Sequence, residues 1–183
     1  MAMKSTVLKA ELQISDMNRH YYATHSLTLA QHPSETEERM MVRVVAFALH
    51  ASESLAFTRG ISTEDEPDIW EKDLTEHITV WIDLGQPDDK RIRKACGRAD
   101  AVFIYTYQPR NAGPWWQKSE ETLARFDKLS VLSLDTVSAT ALAELCDRHM
   151  TLTCTVQDDA VYLSSERGEV EVRVVPLKVA TGL

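Results

Sequence analysis

The chain has 183 residues, 44% hydrophobic and 26% charged, with a formal net charge of -8. These proportions fit one folded domain over residues 1–183 and exclude a disordered chain, while the acidic balance argues against a general coat protein for DNA. No apolar run approaches the roughly 20 residues of a membrane span. The N-terminal segment lacks a signal peptide's apolar stretch, and three cysteines without a C-x-x-C (Cys96, Cys146, Cys154) fit a reducing compartment. The expected location is cytoplasmic.

Val7 to Leu12 alternates apolar and polar residues, and Tyr21 to Leu29 does so again after the polar break Asp16-Met17-Asn18-Arg19. The pair predicts an N-terminal hairpin. Ser34 followed by Glu37 has capping-box spacing, which predicts a helix from about Glu35 to Ala51. Met40, Met41, Val42, Val44, Val45, Phe47 and Leu49 cover much of its circumference, as in a helix buried on more than one side. Steps of three and four separate a polar face (Glu35, Arg39, Arg43, His50) from an apolar one that carries Glu38 with Val42, Val45 and Leu49.

A break at Gly60 leads to an acidic loop, Glu64-Asp65-Glu66-Pro67-Asp68. Ile78 to Leu84 is β-branched and aromatic, and Gly85-Gln86-Pro87 ends that strand. Pro87 is placed to start a basic helix to about Ala99, with Ile92, Ala95, Cys96 and Ala99 inward. Then follow a strand at Ala101–Tyr107, a helix at Pro114–Phe126, a strand at Leu129–Leu134 and a helix at Val137–His149. Strands over 151–156, 161–164 and 170–175 complete the pattern. The expected class is α/β: a mixed β-sheet flanked by helices, with extra strands at the N- and C-termini.

Phosphodiester cleavage with a metal needs carboxylates converging on a hard cation such as Mg²⁺ or Mn²⁺. Three positions could supply them. Asp68 follows Pro67, Asp83 lies on the best strand beside Thr79 and Trp81, and Glu38 points inward from a helix's first turn. Each also has an ordinary explanation: a turn, a strand-end acceptor, and an acid favoured by the helix dipole. Lys90, Arg91, Arg93, Lys94 and Arg98 make a basic helix, either a phosphate-facing patch or a solvated face paired with the acidic loop. The histidines lack zinc-site spacing, and no glycine-rich phosphate loop supports a nucleotide cofactor. Trp115-Trp116 could stack on bases or pack on the sheet.

Five blocks together carry a resemblance: His32-Pro33-Ser34-Glu35 through Arg43, Glu66-Pro67-Asp68-Ile69-Trp70, Trp81 through Asp88, Lys90-Arg91-Ile92-Arg93-Lys94-Ala95, and Trp115-Trp116. Over essentially the whole chain the sequence resembles the bacterial YaeQ family, a variant of the PD-(D/E)xK superfamily. The resemblance implies a restriction-endonuclease-like core. In it, Pro67-Asp68 is the "PD" element, Asp83 the following acid and Glu38 the acid of the first core helix. The superfamily expects lysine two residues after Asp83, where Gly85 stands. The resemblance therefore points to Lys90, with Gln86, to position water. It implies a metal-dependent nuclease acting on DNA or RNA, with Mg²⁺ or Mn²⁺ on Glu38, Asp68 and Asp83. Lys90, Arg91 and Lys94 would then meet phosphate. The alternative is a non-catalytic module on the same fold that binds nucleic acid or a protein.

Overall fold

The structure, a computed structural model, describes residues 4–59, 64–136 and 139–181. Gly60, the expected break, and Val137, the expected start of a helix, lie outside the described residues. The chain divides into two compact units, residues 1–51 with 136–174 and residues 52–135 with 175–183.

The first unit begins with the expected hairpin, longer than its sequence pattern suggests: β1 (Thr6–Asp16) and β2 (Tyr21–Gln31) pair antiparallel without a break. Asp16 closes the turn. Its carboxylate accepts from the backbone of Asn18 and Arg19 and from the Arg19 guanidinium. Helix α1 (Glu37–His50) follows. Ser34 does not cap it: the cap is Thr36, whose hydroxyl accepts from the Arg39 amide at 3.1 Å. Ser34 instead sits in a turn with His32. Arg19 reaches the other end of α1 and donates to the carbonyls of Ala48 and Ala51, where a cation also meets the negative end of the helix dipole.

The C-terminal part of this unit holds α4 (Ala139–Glu144), β8 (His149–Gln157), β9 (Ala160–Ser165) and the first part of β10 (Gly168–Lys178). The helix expected to run to His149 stops at Glu144, and β8 begins at His149. The strand order here is β2-β1-β8-β9-β10, with β1 and β8 parallel and the other pairs antiparallel. Alternation along β1 and β8 buries Leu8, Ala10, Leu12 and Ile14 together with Met150, Leu152 and Cys154, and leaves Lys9, Glu11, Thr151 and Thr153 in water. Burying a side chain of leucine size contributes about 1.5–3 kcal/mol, so these apolar rows hold the sheet and the polar rows do not. Every residue of α1 from Met40 to Ala48 is buried, Arg43 included.

The second unit contains β3 (Leu55–Phe57), β4 (Ile69–Lys72), β5 (Ile78–Leu84), α2 (Asp89–Arg98), β6 (Ala99–Thr106), α3 (Pro109–Leu123) and β7 (Leu129–Thr136). Its strands run β10-β7-β6-β5-β4-β3, a mixed set in which β5, β6 and β7 are parallel and β3, β4 and β5 antiparallel. Sequence reading missed the short strands β3 and β4. It placed β5 at its observed bounds but put the start of α3 at Pro114. The helix starts at Pro109 and carries Pro114 inside it. Likewise Pro87 precedes α2 and does not open it: Asp88 is the cap, accepting from the Arg91 amide at 2.8 Å. Ile92 and Ala95 of α2 and Leu123 of α3 pack with Val102, Ile104 and Val131 into one apolar cluster, which Trp115 and Trp116 flank. The architecture is thus a large mixed sheet with helices, in the α/β class.

Candidate functional site

The site forms where β4 begins and β5 ends. The antiparallel register Ile69↔Ile82, continued by one step, sets Asp68 across from Asp83. Both acids are buried, at 4% and 2% exposure. Strand β5 is covered on both faces, as central strands of α/β sheets are, so Trp81 and Asp83 are as deeply buried as Ile82 and Leu84.

Each acid has defined partners. One Asp68 carboxylate oxygen accepts from the Leu84 amide at 3.0 Å, and the Asp68 backbone bridges Ile82 and Thr58. The Asp83 carboxylate meets Arg91 in a two-point pair, Nε to Oδ2 and Nη2 to Oδ1, both at 2.9 Å. The indole N–H of Trp81 donates to Oδ2 at 3.0 Å. Arg91 also donates to the carbonyls of Glu64 and Glu66, so one side chain joins α2, β5 and the acidic loop. The hydrogen bond to Asp83 is the main reason the Arg91 pKa lies above its ordinary value, and Asp68 and Asp88 add to it. A planar guanidinium matched to a carboxylate in this way is among the stronger protein contacts.

The remaining expected residues fall into distinct places. Gly85 has φ +94°, a conformation that penalises any residue with a Cβ, so a lysine there would strain the turn that leads to α2. Gln86 is half-buried, its amide 3.5 Å from the Tyr107 carbonyl. Lys90 is exposed, with no hydrogen bond or ion pair among the described residues. Lys94 pairs with Asp65, and that contact holds the Asp65 carboxyl below its ordinary pKa. Arg98 donates to the Asp65 carbonyl and lies over the Trp81 ring at 5.3 Å. Much of the basic helix is therefore tied to the acidic loop. Trp115 donates to the Pro87 carbonyl at 3.0 Å, which ties α3 to the turn before α2.

Glu38 belongs to the first unit, half-buried on α1 and without a hydrogen bond or ion pair among the described residues. The deeply buried acid of that segment is Glu35, at 7% exposure. Its carboxylate accepts from Arg39 at 2.7 Å and from Arg43 at 2.8 Å, and Arg43 also donates to the Ala30 carbonyl. The face that helical spacing reads as polar is thus an interior ion cluster. The spacing was visible in the sequence, but the direction it faced was not. The sequence set Trp81 two residues before Asp83 on one strand face, but nothing in it marked the indole as a donor to that carboxylate.

For a divalent cation this donor set does not fit. Both Asp83 oxygens are taken by Arg91, one Asp68 oxygen is taken by a backbone amide, and among the described residues no three His, Cys, Asp or Glu side chains are grouped to hold a metal. Nor are the cysteines poised as nucleophiles: burial pushes the thiols of Cys146 and Cys154 up to about 11 and about 12. Among the described residues no helix is long and apolar enough to cross a membrane.

Comparison with known proteins gives one family. The YaeQ protein family matches residues 1–174. A YaeQ protein of Salmonella typhi is 45% identical over 174 residues, which cover 95% of this chain and 96% of that one. Its counterpart in Escherichia coli K12 is 42% identical with the same coverage. The crystal structure of a YaeQ protein from Xanthomonas axonopodis pv. citri superposes with a TM-score of 0.92 at 46% identity, covering 96% of this chain and 99% of that chain. One from Pseudomonas syringae gives 0.90 at 33% identity, covering 97% and 98%. With its sequence matched nearly end to end, the chain belongs to the YaeQ family.

Proposed function

We propose that the second unit is a phosphate-binding module for nucleic acid, built on a restriction-endonuclease-like scaffold whose acidic pair is held closed by Arg91. One observation carries this reading. At the start of α2 the carboxylate of Asp83 is committed to Arg91, while Lys90 stands exposed one residue before it. Within the buried pair the carboxylates of Asp68 and Asp83 are withheld while Lys90 is offered to solvent beside the exposed Asp88 and Asp89, a combination that suits a phosphate better than a metal ion. Arg93, also exposed, pairs with Asp89 at 3.6 Å, so Lys90 is the cation that this reading rests on. Fluorescence anisotropy with single- and double-stranded DNA and RNA tests the reading. Lys90→Glu is expected to weaken binding and lower the salt slope by about one phosphate contact. Binding that ignores this substitution refutes the assignment.

A second reading is a metal-dependent nuclease in which Asp68 and Asp83 are the acids and Lys90 with Gln86 positions water. It is favoured by the burial of two carboxylates across neighbouring strands, a feature that functional sites share with structural ion pairs. It requires Arg91 to leave Asp83. Cleavage that needs Mg²⁺ or Mn²⁺ and vanishes in Asp83→Ala establishes it. Binding without cleavage leaves the module reading standing.

A further inference from the structure

We propose that Glu64-Asp65-Glu66 is an internal competitor of phosphate: it lies along the cationic stripe of α2 and masks Lys94 and Arg98 until a nucleic-acid strand displaces it. The inference rests on the phosphate-binding reading above and concerns how that same site is regulated. Along α2, Lys90, Lys94 and Arg98 follow one another at steps of four residues, about 12 Å from first to last, and Arg91 flanks them within about 100° of arc. The four cations therefore share one side of the helix. Lys90 stands open at one end of the stripe, and the acidic segment covers the rest.

Three consecutive residues each set an oxygen on this stripe. The carbonyls of Glu64 and Glu66 accept from the two terminal nitrogens of Arg91 at 3.2 and 2.9 Å. Asp65 offers its carbonyl to Arg98 at 2.6 Å and its carboxylate to Lys94. Acceptor oxygens in a row are also what a phosphate backbone presents to arginine and lysine. The segment thus holds the place on these cations that a polyanion would take.

The hold is weak where the segment meets Lys94 and firm where it joins the sheet. The side chains of Asp65 and Lys94 are 80% and 47% exposed, and an ion pair so placed contributes little and is screened by salt. Glu64 and Asp65 are exposed, so burial does not anchor them either. Pro67 and Asp68, by contrast, are buried, and the Asp68 amide donates to the Ile82 carbonyl at 3.1 Å. Arg91 keeps its two-point pair with the buried Asp83 whether or not the segment is in place. Lys94 and Arg98 are therefore the cations that displacement releases, and they extend the open Lys90 along the helix.

Fluorescence anisotropy of the full chain with a single-stranded DNA, across a salt series, tests this. Asp65→Ala is expected to tighten binding by about threefold to tenfold and to steepen the salt slope by about one phosphate contact, because Lys94 no longer exchanges a carboxylate for a phosphate. Glu64→Gln removes the same charge from a side chain with no hydrogen bond or ion pair among the described residues, and its gain is smaller, below about twofold. Lys94→Ala costs less than about twofold in the wild type, where losing a phosphate contact also frees the segment, and cancels the whole gain in the Asp65→Ala background. Asp65→Ser repeats the test should circular dichroism show that Asp65→Ala does not fold. Equal gains from Asp65→Ala and Glu64→Gln overturn the proposal, as does a Lys94→Ala loss that is the same in both backgrounds. Either result leaves the phosphate-binding reading standing if Lys90→Glu still weakens binding. DNA that binds neither the wild type nor Asp65→Ala overturns that reading and the internal competitor with it.

Discussion

The first unit buries Glu35 against Arg43, and the second buries Asp83 against Arg91. In both pairs acid and arginine are eight residues apart. Glu35 lies just before the Thr36 cap of α1 and reaches Arg43 within the helix, with Arg39 between them in sequence. Asp83 and Arg91 lie on different elements, a strand and a helix joined by the turn at Gly85. One separation thus produces a pair that closes the start of one helix and a latch between a strand and a helix. In the second, breaking the ion pair also frees the acidic loop that Arg91 holds.

The sharpest way to break the comparison is to remove the arginines. Arg43→Met leaves the Glu35 carboxylate, 3% exposed, with one partner fewer and costs about 3 kcal/mol in urea unfolding. The double variant with Glu35→Gln recovers most of that, because a buried pair is dearer to split than to replace. In the second unit the two halves differ. Arg91→Met strands the buried Asp83 carboxylate and costs about 2 kcal/mol, whereas Asp83→Asn costs about 1 kcal/mol, because Arg91 is 27% exposed and can turn to water. Equal costs for these two substitutions would overturn that asymmetry.

Titration separates the units further. Burial lowers the His50 pKa to about 4 from an ordinary 6.5, so the unfolded chain binds more protons between these values. Stability from this group is present above pH 6.5 and lost as pH falls toward 4, by about 2 kcal/mol for a half-buried ring. His77 runs the other way. Its hydrogen bond to Asp100 raises its pKa, so its contribution is present below pH 6.5 and fades as pH rises through the folded value. Ring resonances followed by NMR should show His50 titrating below 6.5 and His77 above it, and the reverse order would contradict both assignments. The smallest effect is Lys94→Ala, which removes an exposed pair with Asp65 and changes stability by no more than about 0.5 kcal/mol.

Much of this was legible in the residues. Alternation in β1, the β-branched run of β5, the apolar circumference of α1 and the inward stripe of α2 are periodic signals, and periodicity is a local property. Elements set by one or two contacts were not legible. β3 and β4 are too short for a pattern, Thr36 won the cap from Ser34, and Pro114 is carried within a helix it was expected to start. At the site, the sequence pointed to Asp68, Asp83 and the basic helix without showing who pairs with whom.

The sequence by itself determined the α/β class, the YaeQ kinship and the hydrophobic faces, because these follow from residue type and spacing along the chain. Only the tertiary structure decided that Glu35 and not Glu38 is the deeply buried acid of its segment, and that Arg91 closes on Asp83 while Lys90 beside it stays in water. The reason is physical. Which side of a helix meets the interior, and which long side chain reaches a buried carboxylate, depend on neighbours brought together by the chain's return, and no local pattern encodes them.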